Sequence, residues 1–315
     1  IELPDFPLLL APMEDVSDPP FRRLCKLHGA DLMYSEFISS EGLIRDAIKS
    51  RQKLDIFDYE RPVGIQIFGG DEEAMQLSAK IVETVQPDLV DINFGCPVKK
   101  VVCKGAGAGV LKDVDLMIRL TKAVISGTSL PVTVKTRLGW DDESINIDEV
   151  AERLQDVGVQ ALTIHARTRA QMYKGHSDWT HIERIHNNPR IKIPIFGNGD
   201  IDSPQKAKEY KERFGLDGMM IGRAAIGYPW IFNEIKHYLN TGEILAPPTM
   251  KDRLEAAKNH LIWSMEWKGE RLGIVEMRRH YTNYFKGIHG FKAHRQRLVT
   301  EDDPNQLLRI FDEIE

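Results

Sequence analysis

The segment "LPVTVKTRLGWDDESINIDEVAERLQDVGVQALTIHAR", residues 130–167, decides the fold. It opens on an apolar, β-branched run, "LPVTVKTRLG" (130–139). It continues through "IDEVAERLQDVG" (147–158), which has an acidic start and a glycine stop, and closes on a second run, "ALTIHAR" (161–167). A strand, a helix and a second strand in that order imply parallel pairing through a crossover. Outward from this unit the same texture recurs in "FPLLLAPM" (6–13), "DLMYSEF" (31–37), "PVGIQIFG" (62–69), "LVDINFG" (89–95), "IPIFGNGD" (193–200) and "GMMIGRAA" (218–225), making eight strand-like runs. Between them lie helical patterns such as "DEEAMQLSAKIVETV" (71–85), with Met75, Ile81, Val82 and Val85 on one face, and "DVDLMIRLTKAVISG" (113–127). Eight such units close naturally into a (β/α)8 TIM barrel, although periodicity alone also allows a doubly wound open sheet.

The chain has 315 residues, 42% hydrophobic and 28% charged, enough to bury a large core and too ordered in composition for a disordered protein. That length suits one barrel plus a smaller unit. After "NTGEILAPPT" (240–249), a turn-rich linker, the strand–helix alternation stops, so the expected division is a barrel over residues 1–240 and a small helical domain over 241–315. Cys25, Cys96 and Cys103 are too few for a disulfide framework, and Cys96 and Cys103 do not have the spacing of a zinc pair, so no metal is expected. No stretch reads as a signal peptide or membrane span, and a reducing cytoplasm is the expected setting.

Charge is uneven. Residues 268–298 hold Lys268, Arg271, Arg278, Arg279, Lys286, Lys292, Arg295 and Arg297 against Glu270 and Glu276, a net of +6 in a chain whose total is −5. Such a segment is either a solvated helix face or a phosphate-contacting surface; the interleaved His280, Tyr281, Tyr284, Phe285 and His289 favour nucleotide contact.

Barrel active sites sit at the C-terminal ends of the strands. Gln66, Asn93, Lys135 and His165 lie within or at the ends of otherwise apolar runs, where an unpaired polar group would cost roughly 2–7 kcal/mol. Any one alone could be a satisfied core residue; four sharing the position point to a site. "GNGD" (197–200) and "IGRAAIGYPW" (221–230) place glycines and Arg223 after the seventh and eighth strands, a common phosphate position in barrels.

Together "APMEDVSDPPFRRLC", "QIFGG", "DINFGCPVKKVV", "VKTRLGW", "TIHARTR", "GNGDI" and "MMIGRAAIGYPWIF" resemble the tRNA-dihydrouridine synthases, flavoproteins that reduce uridines in tRNA, over nearly the whole barrel. "KGIHGFKAHRQRL" (286–298) resembles the family's bacterial branch. The resemblance implies an FMN at the barrel mouth, with NADPH as reductant. Pro12, Met13 and Glu14 would pass along the ring edge, Gln66 would hydrogen-bond it, and Lys135 and His165 would face its pyrimidine end. Asn198, Gly199, Asp200, Gly222 and Arg223 would hold its phosphate. The resemblance also makes Cys96 the proton donor, with Asn93 orienting the base, and leaves Cys103 as an incidental loop thiol. Arg278 and Arg279, in the basic segment, would contact tRNA; Lys99 and Lys100 are either a solvated face or a further contact. Glu14 and Asp15 depart from the small or neutral residues many relatives carry there.

Two other readings stay open. A small-molecule FMN dehydrogenase of the dihydroorotate or dihydropyrimidine type would share the barrel and the acid chemistry but leaves residues 268–298 unexplained. A non-catalytic RNA-binding module would explain those residues but not the polar strand ends. No stable protein partner is implied.

Overall fold

The computed structural model describes residues 1–314. Nine strands form one parallel sheet: β1 (Leu8–Leu10), β2 (Met33–Tyr34), β3 (Ile38–Ser39), β4 (Val63–Phe68), β5 (Leu89–Asn93), β6 (Val132–Arg137), β7 (Leu162–His165), β8 (Ile195–Asn198) and β9 (Gly218–Ile221). Their order is β1-β9-β8-β7-β6-β5-β4-β2, with β3 pairing the far end of β4. A parallel bridge between Leu9 and Leu32 joins the two ends of this path. The sheet thereby closes into the expected barrel and excludes the open doubly wound alternative.

Period-two alternation sorts each strand into two faces. Leu8, Leu10, Ile65, Ile67, Val90, Ile92, Val132, Val134, Leu162 and Ile164 point outward and pack against the helices in the largest apolar cluster. Leu9, Ala11, Leu32, Tyr34, Leu89, Ala161, Phe196 and Met220 point inward and form a separate, smaller cluster that plugs the barrel. Towards the C-terminal ends of the strands the inward positions become polar: Gln66, Asp91, Asn93, Thr133, Lys135, Thr163, His165 and Asn198. The crossover helices start where a side chain satisfies a free backbone N–H. Asp71 caps Glu72–Glu83, Asp113 caps Val114–Gly127, and Ser203 caps Pro204–Phe214.

The last barrel helix, Ile231–Thr241, ends at Gly242 in the left-handed conformation. After the linker, helices Met250–Lys268, Glu270–Met277, Tyr281–Tyr284, Phe291–Thr300 and Pro304–Asp312 build their own apolar cluster, which Leu24 of the barrel's Pro19–Leu27 helix joins. Polar contacts reinforce that joint. Lys268 donates to Asp18 at 2.6 Å and also pairs with Glu276; Trp267 Nε1 donates to Asp55 at 2.8 Å. Behind them His260 and His280 lie buried, their rings 4.8 Å apart and both within 6.2 Å of Phe21. No helix among the described residues is long and apolar enough to cross a membrane.

Candidate active site

Strand register sets the site. Asn93 is level with Lys135, Arg137 with His165, and His165 with Asn198. These inward side chains line a cavity of about 710 Å³ at the C-terminal mouth of the barrel. Ala11, Pro12, Met13, Glu14, Cys96, Gly199, Asp200, Gly222, Arg223 and Tyr173 complete much of its wall.

Lys135, Arg137 and Arg223 share the wall with Glu14, Asp200 and Asp202, and the cations cluster around His165. Lys135 Nζ donates to Asn198 Oδ1 at 3.2 Å, and Asn198 Nδ2 donates to the Met220 carbonyl at 2.8 Å. Burial, reinforced by Arg137, lowers the Lys135 ammonium to about 8. His165 is driven well below its ordinary value, by burial first and then by Arg137, Lys135, Arg167 and Arg223, so it stands neutral. A neutral imidazole there can offer a hydrogen bond without adding to the local positive charge.

Cys96 sits on a turn that is braced from several sides. Asn93 Oδ1 accepts from the N–H groups of Gly95 (3.0 Å) and Cys96 (2.8 Å). Arg137 Nε donates to the Gly95 carbonyl at 2.7 Å, and the Ala108 N–H donates to the Cys96 carbonyl at 3.0 Å. The glycine-rich loop presses against its back. Gly107 has φ +54°, and a Cβ there would lie 2.9 Å from the Cys96 oxygen. The thiol is 7% exposed and faces the cavity. Burial raises it above its ordinary value, against the pull of Arg137 and Lys135, so it keeps its proton at neutral pH. Cys103 instead ends the short Lys99–Val102 helix and is exposed. It is not part of the cavity wall.

Several expected roles change. Gln66 is fully buried and is not in the cavity wall; its Nε2 donates to Asp91 at 2.6 Å and its Oε1 accepts from Asn93 at 2.8 Å. It supports Asn93 from below. Asn93 in turn spends its oxygen on the Cys96 turn. Asp200 lines the cavity, and its carboxylate is committed to neighbouring donors. It accepts two bonds from Arg167 Nη2 at 2.7 and 2.9 Å and one from the Ser177 N–H, and it stands 3.6 Å from Arg223. Its task is to hold those cations.

The basic segment is also partly spent. Arg278 donates to Asp302 and the Glu301 carbonyl, and Arg279 to Asp15, whose carboxylate is 3.1 Å away. Arg297 pairs with Glu313. Lys268 is the buried bridge described above. Arg271, Lys286, Lys292 and Arg295 remain on the surface. The unusual Glu14 and Asp15 have cationic partners: Glu14 pairs with Lys53 at 2.6 Å, and Asp15 with Arg279.

Arg137 and Tyr173 join the site without having stood out in the sequence. Buried Arg137 connects the Gly95 carbonyl to those of Thr168 (3.1 Å) and Met172 (2.8 Å), tying the Cys96 turn to the following loop. Tyr173, on that loop, stands 4.9 Å from Arg223 and 5.6 Å from Arg137 across its ring face. Alternation from Lys135 turns Arg137 inward; nothing local marks Tyr173.

Comparison with known proteins agrees with this geometry. The family model for dihydrouridine synthase (Dus) matches residues 9–314. The chain is 39% identical over 307 residues to tRNA-dihydrouridine synthase B of Pseudomonas aeruginosa, covering 96% of this chain and 92% of that protein. It is 38% identical to tRNA-dihydrouridine synthase B of Shewanella oneidensis, covering 98% and 96% respectively. Against a probable tRNA-dihydrouridine synthase of Rickettsia conorii the identity is 37%, covering 94% and 89%. Among solved structures, a 2-naphthoyl-CoA reductase complex superposes with TM-score 0.57 at 12% identity, covering 73% of this chain and 50% of that one. A morphinone reductase mutant in complex with tetrahydroNAD gives 0.55 at 12%, covering 80% and 91%. Those two likenesses concern the barrel fold. The match along almost the full length of both chain and relatives shows that this chain belongs to the dihydrouridine synthase family of oxidoreductases.

Proposed function

We propose that the protein reduces specific uridines of tRNA to 5,6-dihydrouridine in the cytoplasm, with FMN as resident cofactor and NADPH as reductant. The substrate follows the names of its relatives. The observation that carries the reading is a buried thiol, Cys96, on the wall of a cavity of about 710 Å³ at the barrel mouth, beside Lys135, Arg137 and His165.

The residues present fit that group. Arg223 and the open backbone at Gly199 and Gly222 would receive the phosphate, with Asp200 holding Arg223 in place. The Pro12–Glu14 backbone would border the ring, and Lys135 and His165 would face its electron-rich end. When bound, the flavin supplies the hydride that reduces the C5–C6 double bond of uracil.

The chain's own groups supply the remainder. Lys135 places positive charge where reduction leaves negative charge, and His165, held neutral, offers a hydrogen bond without adding to the local repulsion. Cys96 Sγ holds the proton destined for C5, and its raised value keeps it an acid rather than a thiolate. Asn93 and Arg137 keep the turn beneath it fixed. We assign the helical domain from about residue 241 onward to tRNA backbone contact, through exposed Arg271, Lys286, Lys292 and Arg295 more than through carboxylate-paired Arg278 and Arg279. Extracting a stacked base costs a few kcal/mol, which phosphate contacts must offset.

The test is incubation of the purified, FMN-loaded protein with NADPH and unmodified tRNA, followed by nucleoside mass spectrometry. Dihydrouridine formed in tRNA, with free uracil not reduced and dihydroorotate not oxidised, supports the reading; turnover of the free pyrimidines without tRNA overturns it.

A further inference from the structure

We propose that Asp91, Gln66 and Asn93 form a polarity-setting relay, anchored on Thr133, that fixes the backbone turn presenting Cys96. The inference rests on the reading of Cys96 as proton donor and adds three positioning residues beneath it.

The relay runs up the inside of the barrel across neighbouring strands, since Gln66 is in register with Asp91 and Asp91 with Thr133. Thr133 Oγ1 donates to Asp91 Oδ1 at 2.5 Å. Gln66 Nε2 donates to Asp91 Oδ2 at 2.6 Å, and Asn93 Nδ2 donates to Gln66 Oε1 at 2.8 Å. Asn93 Oδ1 then accepts from the N–H groups of Gly95 and Cys96. All four side chains are buried.

An amide has a donor end and an acceptor end of nearly equal size, so two amides in series can be turned either way. The two termini of this chain remove that freedom. At the top, backbone N–H groups can only donate, which requires Asn93 to present oxygen. At the bottom, an ionised carboxylate can only accept, which requires Gln66 to present nitrogen. Both demands give the same polarity through the chain, and flipping either amide sets two donors or two acceptors face to face in a buried site. A carboxylate is costly inside a barrel, and burial raises Asp91 to about 6, yet it stays ionised at neutral pH where the relay needs an acceptor. Core filling alone would be met more cheaply by an apolar layer.

The experiment compares FMN-loaded wild type, Gln66→Met, and the double variant Gln66→Glu with Asp91→Asn. Met leaves Asn93 free to turn. The double variant rebuilds the relay with the carboxylate moved one position: residue 91 donates to residue 66, which accepts again from Asn93. Three readouts are taken: flavin reduction by NADPH, single-turnover reduction of tRNA by prereduced enzyme, and the iodoacetamide alkylation rate of Cys96 relative to exposed Cys103. Expected for Gln66→Met are tRNA reduction slowed by an order of magnitude or more beyond any change in flavin reduction, and a several-fold change in Cys96 alkylation, the cost of a general acid out of position. The double variant should return most of the rate and the wild-type alkylation ratio. Wild-type tRNA reduction and alkylation in Gln66→Met, or a double variant as slow as the single one, overturns the relay. Should Gln66→Met not fold, Thr133→Val loosens Asp91 alone and should shift the same two readouts in the same direction; no shift counts against the relay. Cys96→Ala run alongside separates the two levels. A fast Cys96→Ala protein removes the proton-donor reading itself, whereas a slow one beside an unaffected relay variant removes only this inference.

Discussion

Affinity for reduced flavin should fall as pH rises from 7 to 9, and Lys135 should be the cause. Its ammonium is lowered to about 8 by burial and by Arg137, and it is the cavity cation expected to change charge in that interval. Arg137 is held at about 10, and Cys96 is raised above its ordinary thiol value. The sign follows from linkage: an anionic ligand binds the protonated form, so affinity is full below 8 and is lost above it. With an ammonium value of about 8, the protonated fraction falls from about nine-tenths at pH 7 to about one-tenth at pH 9, so affinity should weaken roughly tenfold. The assay is anaerobic titration of reduced FMN with apoprotein at pH 7, 8 and 9, with free flavin separated by ultrafiltration. Lys135→Met should bind more weakly at pH 7 and show little change with pH. A flat wild-type profile, or an unchanged slope in Lys135→Met, would refute the reasoning.

Other perturbations follow from the same geometry. Asp200→Ala leaves buried Arg167 without its carboxylate and should cost about 3–5 kcal/mol, read as a fall in the thermal midpoint, while Asp200→Asn, which keeps an acceptor, should cost less. His260 and His280, held at about 3 and about 4, stay neutral in the folded protein but protonate in the unfolded chain near 6.5. Stability should therefore decline as pH falls below about 6.5, by up to about 1.4 kcal/mol per unit for each histidine; unfolding in urea at pH 7 and 5 measures it. Reversing Lys286 and Lys292 to Glu should lower the slope of log tRNA affinity against log salt by roughly 0.7 to 0.9 for each phosphate no longer neutralised, more than Arg278→Glu with Arg279→Glu, because the latter pair already has carboxylate partners.

The barrel strands are legible in the sequence because each lies in a short apolar run, but the run 31–37 holds only β2, the short β3 (Ile38–Ser39) lies just past it, and closure shows only in the Leu9–Leu32 bridge. The inward face is only half legible. Asn93 and Lys135 stand out as polar residues in apolar runs, but two residues back along the same strands lie Asp91 and Thr133, which share their face and whose partnership shows only once the strands are in register. Gln66 stands out too, yet its neighbours in space rather than in sequence decide that it serves Asn93 and not the cavity. The carboxylate of Asp200 is committed to Arg167 and the Ser177 N–H, partners that lie 33 and 23 residues away and meet it only in the folded barrel. The pairing of Arg278 and Arg279 is not legible in the sequence, because Asp302 reaches Arg278 only once the C-terminal helices pack on one another and Asp15 reaches Arg279 only once they pack against the barrel. The glycines of "GAGAG" read by composition only as a loop; the fold reveals that Gly107 lets the chain press on Cys96.

The central claim, that Cys96 is the proton donor, is tested most directly by single-turnover reduction of tRNA with prereduced enzyme, which bypasses NADPH. Cys96→Ala should retain its flavin and accept hydride normally, yet form dihydrouridine about 10²- to 10⁴-fold more slowly. Cys103→Ala, exposed and outside the cavity, should match wild type. A Cys96→Ala enzyme as fast as wild type, or a Cys103→Ala enzyme that is dead while Cys96→Ala works, would contradict the account.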